Sequence, residues 1–133
     1  MKKYPIMITD ADLRNRGIIA GSAQSLTQIL DYTHLAFYEF IVYTSMKSRR
    51  KRLIEKHIDE LKEDVKDILL NIAWAIDRSG DFVGLDNGQQ RKNDESVEIK
   101  SLQERLITVI PTIVWNQIAG LEPNIIFSGG EII

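Results

Sequence analysis

The densest chemistry in this sequence is a basic run followed at once by an acidic one. The stretch MKSRRKRLIEKH, Met46–His57, carries six cationic side chains: Lys47, Arg49, Arg50, Lys51, Arg52 and Lys56. Such groups neutralise phosphates or carboxylates. No aromatic residue is interleaved with them, so the run suits a nucleic-acid backbone or an acidic protein surface, and not base stacking. Next come Asp59, Glu60, Glu63, Asp64 and Asp67. Glu60, Glu63, Asp64 and Asp67 recur at helical spacing, share one face and have the oxygen-donor chemistry of a Mg²⁺ site. Lys56, Lys62 and Lys66 stand among them, which makes the same face a run of ordinary spaced charge pairs. There is no cysteine, so disulfides and thiolate metal sites are excluded. No Gly-rich phosphate loop, His/Glu metal motif or serine triad is found. No catalytic residue, metal ligand or cofactor is therefore assigned.

Two short resemblances supply the enzymatic alternatives. The phrase ELKEDVKDILLNIAWAIDRSGD resembles the second half of the MazG-like all-α nucleotide pyrophosphohydrolases. The resemblance implies Glu63 and Asp67 as metal ligands, with Glu60 beside them. The family also places a Glu-x-x-Glu pair on the preceding helix. Here only Glu39 is near the right distance, and Ala36 stands where its partner belongs, so half of that cage is missing. Separately, Arg52 and His57, with Arg50 also upstream, resemble the Arg-x(4–6)-His element of HEPN ribonucleases, which are small helical bundles. That resemblance implies action of Arg52 and His57 on an RNA phosphodiester, although Leu53 stands where the family usually has a polar residue.

Helices must position these groups. No Gly or Pro occurs between Gly21 and Gly80, and a β protein needs turn residues far more often than that. Thr9, Asp10 and Asp12 open a short helix reaching about Ala20, weakened by Gly17. Ser22 or Ser25 caps the next. Leu26, Leu30, Thr33, Phe37, Phe40 and Thr44 then alternate by four and three, and Ile54, Ile58, Leu61, Val65, Ile68, Ile72 and Ala75 repeat the rhythm. Each set forms one helical stripe. A single rod over Ser22–Ser79 would be about 85 Å long, with lysines 47 and 51 in its seam. The expected arrangement is instead a helical hairpin, 22–46 and 48–79, turning near Ser45–Ser48 with the cations at its apex.

A flexible loop is expected over 80–96. A third long helix follows over 97–119, striped by Leu102, Leu106, Val109 and Ile113. Pro111 should kink or break it, and Gly120 should stop it. The apolar ends, 1–8 and 121–133, look extended and suited to pairing within or between chains. The expectation is thus one all-α domain, a helical bundle of 133 residues. His34 should hydrogen-bond locally rather than bind metal. Tyr38 and Tyr43 fall off the stripe, and the stretches around them and at ILLNIAWAI are apolar nearly all round, which suggests a partner surface. With a net charge of only −2, bulk electrostatics favours no class of partner. No apolar run reaches membrane-spanning length, and no signal peptide, repeat or low-complexity tract is seen. The resulting expectation is a cytoplasmic, non-catalytic assembly protein that forms homo-oligomers. The six cations would contact a nucleic-acid backbone or an acidic partner.

Overall fold

The computed structural model describes residues 3–18, 25–43, 49–79 and 95–121, with the backbone alone at 49 and 95–101. Their regular structure is six α-helices and one π-helix, with no strand among the described residues. The fold is all-α. Helix α1 is Asp10–Asn15. Its capping box is complete: the Asp12 amide donates to Thr9 Oγ1 at 3.3 Å, and the Thr9 amide donates to Asp12 Oδ2 at 2.9 Å. Gly17 ends the helix rather than weakening it, so α1 stops short of Ala20. At φ +85° Gly17 lets its own amide reach the Arg14 carbonyl and the Ile18 amide reach the Leu13 carbonyl, both at 2.9 Å. The apolar contact that usually accompanies this motif is supplied by buried Leu13 and Ile18.

Helix α2, Leu26–His34, starts at Ser25 through a second capping box, with Gln28 as partner. It runs into a π-helix over Leu35–Val42. The signature is a hydrogen bond from the Tyr43 amide to the Tyr38 carbonyl at 2.8 Å, five residues back. The wider turn rotates the later side chains relative to an α-helical stripe. Ala36, Phe37, Tyr38, Ile41 and Val42 are buried, while Phe40, placed on the expected seam, is only half-buried. Tyr38 is thus core and not partner surface.

The helix expected over 48–79 is two helices, α3 (Arg49–Lys56) and α4 (Ile58–Ser79), interrupted at His57. The interruption takes Ile58 out of the stripe: it is 38% exposed, whereas Ile54 and Leu61 are buried. Helix α2 makes its most extensive contact with α4, and the π-helix lies against α3. The turn expected at Ser45–Ser48 lies outside the described residues. On α4 the buried face is wider than one stripe, adding Leu69, Ala73 and Ile76 to Leu61, Val65, Ile68, Ile72 and Ala75. Most of ILLNIAWAI is therefore spent inside this chain.

Pro111 breaks the third helix outright. Helix α5 is Glu95–Val109 and α6 is Thr112–Ala119, with Pro111 as extended N-cap at ψ 157° and Gly120 as C-cap. The break resets the helical phase. Leu106 is buried as expected, but Ile113 is 59% exposed, and the core is continued by Ile110, Val114 and Ile118. Leu121, assigned above to an extended arm, is helical and buried. Residues 122–133 and 80–94 lie outside the described residues; Glu95 and Ser96, expected in the loop, are helical. At the other end, residues 3–8 form neither helix nor strand and bend at Pro5 and Ile6; they lie against α2 and the π-helix of the same chain, with Ile6 and Ile8 buried.

Candidate functional site

Four of the six cationic side chains lie among the described residues. Arg52 and Lys56 are exposed on α3, and Arg50 is half-buried. Lys51 lies with its ammonium 5.4 Å from the centre of the Tyr43 ring, a cation–π contact that ties α3 to the end of the π-helix. Of Arg49 only the backbone is described, and Lys47 lies outside the described residues. His57 does not approach Arg52 through any described contact. It donates from Nδ1 to Glu60 Oε2 at 2.7 Å, and this bond holds the Glu60 carboxyl below the usual carboxylate range.

Asp67 is committed elsewhere. Arg16, just past the end of α1, donates to Asp67 Oδ1 at 2.7 Å and to Asn71 Oδ1 at 3.0 Å. Asn71 donates to Gln117 Oε1 at 2.9 Å, and Gln117 donates back to Asp67 Oδ2 at 2.7 Å. The four side chains close a ring of hydrogen bonds across α1, α4 and α6. Lys66 and Asp12 add an ion pair at 4.0 Å between α1 and α4. A cleft of about 170 Å³ adjoins the ring, lined by Asp64, Asp67, Ile68, Gln117, Gly120 and Leu121. Glu60, Glu63 and Asp64 are exposed. Among the described residues no three acidic or histidine side chains converge to hold a metal. The MazG-like arrangement also lacks its second half: Ala36 is buried, and Glu39 Oε2 accepts the Tyr4 hydroxyl at 2.9 Å.

Sequence reasoning missed Arg16, Asn71 and Gln117. The one local trace of their ring is that Asp67 and Asn71 are four apart on α4; the other members come from distant segments.

The most constrained polar side chains lie beneath the N-terminal arm. Tyr4 stacks on Tyr38, ring centres 4.5 Å apart and planes 2° from parallel. The Tyr38 hydroxyl donates to the Ile6 carbonyl at 2.6 Å and accepts the Ile6 amide at 3.1 Å. One helical turn earlier, His34 Nε2 accepts the Ile8 amide at 3.1 Å. Nδ1 lies 2.7 Å from the Leu30 carbonyl, which can only accept, so Nδ1 carries the proton and the ring is neutral. The Leu30 bond is the local one expected; the bond to Ile8, 26 residues away in sequence, was not. The arm runs antiparallel to the helix, its Ile6 and Ile8 backbone groups paired with side chains. Burial pushes the Tyr4, Tyr38 and Tyr43 hydroxyl pKa values up and the His34 pKa down.

Among the described residues, four large apolar side chains remain at the surface: Ile58, Trp74, Ile113 and Trp115. Asn71 and Asp67 meet Gln117, while Asp64 and Ile68 share the cleft with Gly120 and Leu121. Helices α4 and α6 therefore run antiparallel there. One turn beyond the Asn71–Gln117 bond, this register brings Trp74 and Ile113 to the same end of the seam. Arg78 covers part of Trp74, its guanidinium carbon 4.3 Å from the ring centre.

No family model, curated protein or solved structure matches this chain. No described helix is long and apolar enough to cross a membrane.

Proposed function

We propose that this chain acts by association and not by catalysis, as a helical assembly protein whose contact face is the Trp74–Ile113 end of the α4–α6 seam and whose partner there is a second copy. The observation that carries the reading is the pair of exposures, 45% for Trp74 and 59% for Ile113, beside a polar ring that already joins the two helices. An indole and an isoleucine exposed at the same end of one seam are the kind of side chains that form the apolar centre of interfaces. The flanking Arg78 and the amides of Asn71 and Gln117 supply its polar rim. The acidic side chains favour the same reading: Asp67 and Glu60 are engaged in structural contacts that chemistry would have to break.

Sedimentation velocity over a range of protein concentrations tests this. The full chain should self-associate, and Trp74→Lys with Ile113→Lys should shift it to monomer without loss of helical content. A chain that is monomeric throughout, or an oligomer unmoved by the double substitution, removes the proposed face. The basic run is a second, separable contact in this proposal. Arg52 and Lys56 are the exposed cations from which a polyanion contact would start.

A further inference from the structure

We infer that His34 is an acid-released latch on the N-terminal arm: a proton on Nε2 removes the acceptor that holds the Ile8 amide and lets residues 3–8 leave the groove on α2 and the π-helix. The geometry requires the two events to go together. Nδ1 already donates to the Leu30 carbonyl, so Nε2 is the ring's one remaining lone pair, and the Ile8 amide occupies it. The ring is 1% exposed. A proton cannot reach Nε2 while Ile8 sits on it, and once added it would face another N–H. The arm must move away for the charged ring to form.

The surroundings do little to stabilise a positive ring in place. From the arm, Tyr4 stacks over the imidazole with centres 6.1 Å apart, and its hydroxyl is turned to Glu39 of the π-helix. Tyr38 spends its hydroxyl on Ile6. On α2 itself the Leu30 carbonyl and, less strongly, Asp31 favour the charged ring, but burial outweighs both. On α1 and α4, Asp12 pairs with Lys66 and Arg16 with Asp67. With the arm gone, Nε2 meets water and the penalty disappears. The opening equilibrium should then rise up to about tenfold per pH unit below about 6.5, the ordinary histidine value.

Amide hydrogen exchange on the full chain tests the latch, with protection factors corrected for the intrinsic rate at each pH. The Ile6 and Ile8 amides should lose protection progressively below about pH 6.5, while Leu69 and Ile72 in α4 keep theirs. In His34→Gln the side-chain carbonyl stands in for Nε2 and cannot be protonated in this range, so the arm profile should become flat. The inference is overturned if arm and α4 amides lose protection together, or if His34→Gln keeps the wild-type profile. Should His34→Gln not fold, the comparison of arm with α4 in the wild-type chain decides alone.

Discussion

The Tyr38 hydroxyl satisfies both backbone groups of Ile6. Tyr38→Phe keeps the ring stack but leaves a buried N–H and C=O without partners. It should cost about 2–3 kcal/mol in urea denaturation, more than the net worth of one ordinary hydrogen bond. The Thr33 hydroxyl is the opposite case, buried with no hydrogen-bond partner among the described residues. Thr33→Val has nearly the same shape and should raise stability by about 1 kcal/mol in the same assay. His34 sets a pH dependence. Its pKa is depressed in the fold, so the unfolded chain takes up the proton more readily. The stability tied to the neutral ring is complete above about pH 6.5 and is lost as pH falls below it. The melting temperature should therefore drop on acidification, and less steeply in His34→Gln. Little of this was legible in the sequence. His34 showed only as a local hydrogen-bonder, and nothing near Tyr38 announces that Ile6 will lie across it.

Helix starts were the most legible features. Thr9 with Asp12 and Ser25 with Gln28 both form capping boxes, and the physics of those ends lies within four consecutive residues. Stops depend on backbone geometry that residue type only suggests. Gly17 reads as a weak helix position until its φ of +85° is seen. No described residue lies within 4 Å of a Cβ built there, so the cost of Gly17→Ala is conformational strain. The expected loss is about 1 kcal/mol by thermal or chemical denaturation. The π-helix was illegible for another reason. A stripe counted by fours and threes assumes one pitch throughout, and the five-residue bond at Tyr38–Tyr43 changes it. Pro111 was half legible: its effect on the backbone was expected, but the new phase that exposes Ile113 and buries Ile110 and Val114 depends on what α6 packs against.

At the scale of the molecule, one apolar core joins distant segments, and a polar ring adds to it at the α1–α4–α6 edge. The Arg16–Asp67–Gln117–Asn71 ring joins segments that are 46 to 55 residues apart in sequence. Its ion pair is partly exposed, with side chains 34% and 48% accessible, so it positions α1 and α6 more than it stabilises them. The basic run is a separate matter of long-range charge. Replacing Arg49, Arg50 and Arg52 by Glu should abolish salt-sensitive polyanion binding, measured by titration at two ionic strengths. Unchanged binding would discard that role for the run. The all-α architecture was legible from the Gly- and Pro-free middle of the chain, because periodicity is a property of one helix. Which surfaces stay open was not, because that depends on how helices distant in sequence meet.

Both indoles of this protein sit at its surface, Trp74 at 45% and Trp115 at 38% exposure, while Tyr38 is enclosed. Tryptophan emission is therefore a poor reporter of whether the interior is intact: it should start red-shifted in the native state and change little in wavelength on unfolding. The aromatic circular dichroism of the stacked Tyr4 and Tyr38 rings is the better optical gauge of the core, and an indole blue shift on concentrating the sample would instead signal that Trp74 has been covered by another molecule.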